Sequence, residues 1–144
     1  MKLEFSAGGV VFQKNGDNML ILVSQHSQHH GWVFPKGFIG DKMDGETKED
    51  TAVREVKEET GIDAQILEKL TPITYQYVMD GEKREKTVYY YIMKHLGGNF
   101  EDRDHEMEAV EWITPEQVMG RLTYQSDRDV FEEALPMIER IANL

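Results

Sequence analysis

The chain has 144 residues and no cysteine, and its 27 acidic residues against 16 lysines and arginines give a net charge of −11. This length predicts one domain over residues 1–144, and the missing cysteine excludes disulfides, thiolate metal ligands and a thiol nucleophile. The negative charge argues against binding to a nucleic acid duplex or an anionic membrane, so an anionic partner would need local cations or a metal ion.

No segment of the chain is predicted to enter a membrane. The longest apolar run covers residues 19–23, which is far too short to span a bilayer, and the N-terminus lacks a long apolar core. We therefore expect a cytoplasmic protein.

In chain order, the first two predicted elements are strands that form a hairpin. Residues 4–13 and 19–24 are rich in strand-forming side chains, and a turn-forming cluster separates them. The next loop carries His26, His29 and His30, whose spacing matches no helical metal-binding pair. We expect this loop to be solvated or to contact a substrate rather than to bind a metal ion.

The segment WVFPKG at residues 32–37 presents a lysine on a constrained backbone. Pro35 favours an extended approach, and Gly37 permits a tight turn. Lys36 is therefore expected to be exposed, where its ammonium group can meet a phosphate.

The next predicted element is a helix over residues 47–60. Thr47 or Asp44 can cap its start, and Gly61 ends it. The helical period predicts an apolar stripe that faces the core, formed by Ala52, Val53 and Val56.

Three carboxylates crowd one face of this helix. Glu55, Glu58 and Glu59 lie at positions i, i+3 and i+4, beside the apolar stripe, and Arg54 can offset only one of their charges. Two interpretations follow from the residues alone. The face is either a solvated acidic surface or an all-oxygen site for Mg²⁺ or Mn²⁺.

The rest of the chain predicts more strands and two helices. Residues 65–79 and 86–93 are rich in strand formers and flank a turn, and Tyr75 and Tyr77 share one face by the period of two. The remaining elements are an acidic loop at residues 101–108, a strand at 109–113, a short helix from Thr114 and a final helix at 126–142.

The predicted acidic helix and the residues before it match the pattern of a known family. The pattern comprises Gly40, Glu46, Arg54, Glu55, Val56, Glu58, Glu59, Gly61 and Ile62. The segment resembles the Nudix box at every fixed position, and a chance match has a probability below roughly one in a million. The chain is therefore identified as a member of the Nudix hydrolase family. The resemblance implies an α+β fold, specifically an α/β/α sandwich with a mixed β-sheet.

The resemblance also implies a role for each charged residue of the box. Glu55, Glu58 and Glu59 would bind Mg²⁺ or Mn²⁺, and one of them would assist the attacking water molecule. Arg54 would orient these carboxylates, and Glu46 would pair with Arg54.

Two segments outside the box extend the resemblance. Residues 106–112 resemble a downstream segment in which a loop glutamate reaches the metal site, so Glu106 is a candidate metal ligand or general base.

The segment at residues 32–37 resembles the W-x-F-P-K-G sequence that precedes the box in relatives acting on dinucleoside polyphosphates, with Lys36 at the substrate. In those relatives the glycine after the lysine is usually the box glycine. Here Gly37 lies three residues before Gly40, which indicates an insertion within residues 38–43 and leaves open whether Gly37 or Gly40 turns a carbonyl to the metal.

The implied activity is metal-dependent hydrolysis of a nucleoside diphosphate linked to another group, so a small nucleotide is the expected partner. Dinucleoside polyphosphates lead as the substrate class, because Tyr77 lies about where those relatives carry a tyrosine. Modified nucleoside triphosphates and ADP-ribose are alternatives. A noncatalytic module that senses a nucleotide or binds a protein is the alternative from another class. The sequence leaves open whether the chain is a monomer or a homodimer.

Overall fold

The computed structural model of the chain describes residues 1–40 and 44–143. The described residues form eight strands, three α-helices and a short 3₁₀-helix, Phe100–Asp102. The strands are β1 Lys2–Asn15, β2 Asn18–His26, β3 Trp32–Val33, β4 Lys36–Phe38, β5 Ile62–Lys69, β6 Ile73–Met79, β7 Glu82–Gly98 and β8 Met107–Ile113. The α-helices are α1 Lys48–Thr60, α2 Pro115–Arg121 and α3 Gln125–Ala142.

The strands form one mixed sheet organised around β1 and β7. These two strands run parallel, and β1 also pairs antiparallel with β2 and β4. β7 pairs antiparallel with β5 along one half of its length and with β6 along the other, while β2 pairs with β3 and β8. The predicted hairpin of the first two strands is therefore confirmed.

Helices cover both faces of the sheet, because β1 alternates its buried side chains between two cores. Val10 and Phe12 pack in one core with α2 and α3, whereas Ala7 and Val11 pack in the other with α1. This arrangement confirms the predicted α+β class and the α/β/α sandwich.

The acidic helix has the ends that its sequence predicts. Thr47 caps α1 by accepting a hydrogen bond from the Asp50 N–H at 3.0 Å. Gly61 ends the helix in the left-handed region at φ 79°, where glycine has no steric penalty. The predicted stripe is partly wrong, because Ala52 and Val56 are buried but Val53 is exposed.

Two strand predictions are wrong in their extent. The predicted strand over residues 65–79 is two strands, β5 and β6, with Pro72 between them, and proline cannot donate a hydrogen bond to a ladder. The predicted strand at 86–93 extends over Glu82–Gly98, because β1, β5 and β6 pair with it along its length. Gly37 forms no tight turn but lies in the short strand β4, opposite Ala7.

The contact between β1 and the chain before β4 leaves no room for a side chain at Gly8. A Cβ atom there would lie 2.1 Å from the Pro35 carbonyl oxygen and 2.7 Å from the Lys36 Cβ. Gly8→Ala is therefore expected to lower the free energy of unfolding by about 1 to 3 kcal/mol, because backbone atoms have to move. Urea denaturation measures this change.

The matched variant for this measurement is Gly120→Ala, where a Cβ atom meets nothing within 4 Å. Gly120 lies inside α2, so alanine is expected to raise the stability by about 0.5 to 1 kcal/mol. Equal stability changes of the same sign in both variants would contradict the steric explanation.

Candidate active site

One arginine joins three of the predicted site carboxylates. The Arg54 Nε and Nη2 atoms donate to Glu46 at 2.7 and 2.8 Å, and Nη1 donates to Glu55 at 2.7 Å and Glu58 at 3.1 Å. The hydrogen bonds from Arg54 lower the pKa of Glu46 to about 2, so Glu46 stays ionised and holds the guanidinium in place. The structure thus brings together Arg54, Glu46, Glu55 and Glu58. We call these four residues and Glu59 the acid cluster.

Gly37 lies against this cluster because α1 packs on β4. A Cβ atom at Gly37 would lie 1.9 Å from Glu55 Oε2 and 2.0 Å from its Cδ, so only glycine leaves room for this carboxylate. Gly40 instead has a φ of 78° and lies next to residues 41–43. The predicted insertion lies within residues 38–43, and three of these six residues, Asp41, Lys42 and Met43, lie outside the described residues.

Glu59 is the deeply buried member of the acid cluster. It is 8% exposed, and its Oε1 atom accepts the Lys36 backbone N–H at 3.2 Å. Burial raises the pKa of Glu59 to about 8, and the negative charges of Glu55 and Asp104 act in the same direction, while Lys36 opposes them. A buried carboxylate among other acids requires cations, which Lys36 supplies in part.

Glu106, the predicted loop acid, is an exposed residue. Its backbone forms the hydrogen bonds that hold the loop in place. Its N–H donates to Asp104 Oδ1 at 3.0 Å, and its carbonyl accepts the Ser27 N–H at 3.0 Å. Asp104 reaches the acid cluster, because its N–H donates to the Glu58 carbonyl at 2.7 Å. Sequence reasoning missed Asp104, because nothing in the acidic loop distinguishes it from its neighbours.

The donor set of the acid cluster fits a hard divalent cation, since every candidate ligand is a carboxylate oxygen. Within residues 1–40 and 44–143, however, no three acidic or histidine side chains form a ready ligand set. Two of the carboxylates are instead paired with Arg54, because its guanidinium binds one oxygen of Glu55 and one oxygen of Glu58. A cation would bind by sharing or replacing these ion pairs.

An aromatic cavity of about 540 Å³ adjoins the acid cluster at Lys36. Lys86 lies in the same wall, and burial lowers its pKa, as does the nearby Lys36 ammonium. The ring side chains that line the cavity are His29, Tyr75, Tyr77, Tyr90 and Tyr124. Tyr75 and Tyr77 share a face as predicted, with ring centroids 6.2 Å apart.

Tyr77 lines the cavity, and its hydroxyl group is held by a hydrogen bond. The hydroxyl donates to the Glu4 carboxylate, which also accepts a hydrogen bond from Arg84 at 3.3 Å. The Lys86 ammonium lies over the rings of Tyr77 and Phe38, at 5.5 and 4.9 Å from their centroids. These contacts hold the Tyr77 side chain in place at the cavity.

The histidine loop contributes one side chain to the cavity. His29 stacks on His26 with ring centroids 4.3 Å apart, and its Nδ1 atom accepts the Gly31 N–H at 3.0 Å. Burial lowers the pKa of His29, and the nearby His26 and Lys36 act in the same direction. Substrate contact by this loop stays a prediction, and the cavity position of His29 agrees with it.

Sequence reasoning also missed Asp127, a buried carboxylate of α3 that lines the cavity. The Tyr90 hydroxyl donates a hydrogen bond to Asp127 Oδ1 at 3.2 Å. Burial raises the pKa of Asp127, and the nearby Lys36 ammonium, the Tyr90 hydroxyl and the Phe34 backbone oppose this effect. An isolated aspartate near a helix start carries no sequence signal of such a position.

The fold and the site together define a class of protein: an α/β/α sandwich whose acidic helix adjoins an aromatic cavity. A family model for the NUDIX domain matches residues 2–134. The chain therefore belongs to the Nudix hydrolase family.

The chain resembles both characterised relatives and solved structures. It is 35% identical over 111 residues to an 8-oxo-(d)GTP phosphatase of Mycolicibacterium smegmatis, a match that covers 76% of the chain and 32% of the relative. It is 29% identical over 115 residues to the asymmetrical bis(5'-nucleosyl)-tetraphosphatase of Mus musculus, with coverages of 79% and 76%. The crystal structure of a C. elegans Ap4A hydrolase binary complex shares the fold at a TM-score of 0.72 and 22% identity, over 94% of this chain and 98% of that chain.

The chain spans less than half the length of three curated relatives that it matches at 42%, 35% and 30% identity, at 43%, 32% and 43% of their lengths. None of the helices formed by the described residues is long and apolar enough to cross a membrane.

Proposed function

We propose that the chain hydrolyses a phosphoanhydride bond of a nucleotide with the help of a divalent metal ion, Mg²⁺ or Mn²⁺. One observation carries this proposal. Lys36 connects the two halves of the site, because its backbone N–H binds Glu59 and its side chain lines the aromatic cavity. A nucleoside in the cavity would therefore extend its phosphates along Lys36 to the acid cluster.

Each part of the site has a distinct task in this proposal. Glu55, Glu58 and Glu59 would hold the cation, which when bound neutralises phosphate charge and lowers the pKa of a coordinated water molecule. Arg54 and Glu46 keep these carboxylates oriented through their ion pairs.

The substrate side of the site needs positive charge, because the chain as a whole is acidic. Lys36 and Lys86 bring two ammonium groups to the cavity wall, where they can contact phosphate oxygens. The tyrosine rings provide stacking surfaces for a base, which would fix the nucleotide and leave its phosphates at the acid cluster. The candidate general bases are Glu55 and Glu106. The missing side chain of Gly37 leaves room for the Glu55 carboxylate.

Within this activity we propose dinucleoside polyphosphates as the substrate class. The proposal rests on the segment at residues 32–37, on the ring of Tyr77 in the cavity and on the similarity to the mouse tetraphosphatase. Modified nucleoside triphosphates are the second candidate, because the identity to the mycobacterial 8-oxo-(d)GTP phosphatase is higher, at 35%.

The test is a substrate panel assayed with Mg²⁺ and with EDTA. The panel contains dinucleoside polyphosphates, ordinary and oxidised nucleoside triphosphates and ADP-ribose, and chromatography separates the products. We expect Mg²⁺-dependent cleavage of a dinucleoside polyphosphate as the fastest reaction, and we expect Glu58→Gln to abolish it.

The other outcomes of the panel are equally informative. Faster cleavage of an oxidised triphosphate or of ADP-ribose would keep the hydrolysis and replace the substrate class. Metal-independent binding of a nucleotide without turnover of any panel member would contradict hydrolysis and favour a noncatalytic sensing module.

A further inference from the structure

One carboxylate in the wall of the aromatic cavity has no task in the proposed hydrolysis. Asp127 is 4% exposed, lies in the first turn of α3 and lines the cavity together with the tyrosines of β6. The Tyr90 hydroxyl donates a hydrogen bond to its Oδ1 atom at 3.2 Å. An ionised carboxylate has about four acceptor positions, so this donor leaves capacity for a ligand in the cavity.

The surroundings of Asp127 suit an aromatic ligand with polar edges. Tyr75 and Tyr124 line the cavity beside it, and His29 contacts Tyr124 edge to face with ring centroids 5.9 Å apart. Proteins commonly read a base by stacking it between aromatic rings and binding its Watson–Crick edge with a polar side chain. Asp127 is the carboxylate that lines this cavity among the described residues.

We infer that Asp127 selects a nucleobase whose Watson–Crick edge carries two adjacent N–H donors, as the edge of guanine does. Guanine offers its N1–H and its 2-amino group, which match the two oxygens of a carboxylate. Adenine places the N1 lone pair at the same edge, and a carboxylate, which only accepts hydrogen bonds, repels it. This inference rests on the proposed function, because it names the base of the nucleotide that the same site would hydrolyse.

An asparagine at this position would change the pattern of donors and acceptors. The amide keeps one oxygen for Tyr90 and presents an NH₂ group, so it no longer matches two donors and can pair with adenine. Asp129→Asn is the matched control, because Asp129 lies on the same helix, is exposed and accepts a hydrogen bond from Gln125.

The test measures equilibrium binding of three nucleoside monophosphates to the full chain by isothermal titration calorimetry in Mg²⁺ buffer, so it requires no turnover. GMP has both donors, IMP lacks the 2-amino group and AMP lacks both the N1–H and that group. We expect the wild type to bind GMP at least about tenfold more tightly than AMP, with IMP between them. Asp127→Asn should lose this preference, whereas Asp129→Asn should keep it.

Equal affinities for GMP and AMP in the wild type would overturn the inference. An unchanged preference in Asp127→Asn would also overturn it, provided that thermal unfolding shows a folded variant. If Asp127→Asn does not fold, xanthosine monophosphate replaces the variant, because it presents a carbonyl group at position 2 and should bind to the wild type more weakly than IMP. Equal binding of these two ligands would then refute the assignment.

The two proposals fail in different experiments. A guanine preference in binding without turnover of any nucleotide would contradict the proposed hydrolysis and support the role of Asp127. Turnover that is equal for guanine and adenine nucleotides of the same chain length would keep the hydrolysis and overturn the role of Asp127.

Discussion

Glu58→Gln and Glu59→Gln are each expected to lower Mg²⁺-dependent turnover by at least about a hundredfold while the chain keeps its fold. Glutamine has nearly the same shape as glutamate but lacks the negative charge that a divalent cation requires. Initial rates at saturating Mg²⁺, with the best substrate of the panel, measure the effect. Near-normal turnover in either variant would refute the role proposed for that glutamate.

A control on the same helix separates a metal-binding role from general loss of charge. Glu49 lies in the first turn of α1, is exposed and accepts a hydrogen bond from Tyr91, so Glu49→Gln should retain the turnover of the wild type.

In metal-free buffer, Glu59→Gln should unfold at the same or a higher temperature than the wild type. Burial raises the pKa of Glu59 to about 8, so folding near neutral pH requires this carboxylate to take up a proton, and glutamine avoids that cost.

Gly37→Ala is expected to lower turnover by about ten- to a hundredfold, because small displacements of a catalytic group have effects of this size. The new Cβ atom would lie 1.9 Å from Glu55 Oε2, so the carboxylate has to move away from β4. The atom that clashes belongs to a side chain, so the stability of the fold should fall much less than the turnover. Parallel measurements of turnover and urea denaturation test this separation.

Gly97→Ala is the matched control for this variant. Gly97 also lies in a strand, and a Cβ atom there would meet nothing within 4 Å. Its turnover should equal that of the wild type. A Gly37→Ala protein with normal turnover would show that the position of the Glu55 carboxylate against β4 is unimportant, and would remove Glu55 as a candidate base.

The features predicted correctly from the sequence are those that depend on near neighbours along the chain. The start of α1 at Thr47, its end at Gly61 and the shared face of Glu55, Glu58 and Glu59 follow from helical geometry. The first hairpin follows from a turn between two strand-forming segments. Family membership could be predicted as well, because the box pattern is contiguous.

The errors concern contacts between distant segments. β4 forms because Gly37 pairs with Ala7, and the strand predicted over residues 65–79 divides because its two parts pair with different halves of β7. Val53 is exposed although it belongs to the predicted apolar stripe, because the sheet covers only part of that stripe. Periodicity describes one element at a time and holds no information about which neighbour covers it.

The sequence by itself determined the acidic helix, its caps and the chemistry of its carboxylates, because a helix is built from contacts three and four residues apart. Only the tertiary structure decided which groups meet these carboxylates. Lys36 reaches Glu59 from 23 positions away, and Tyr90 reaches Asp127 from 37 positions away. Strand pairing and helix packing set these meetings, so the aromatic cavity and the buried carboxylate in its wall became visible only in the folded chain.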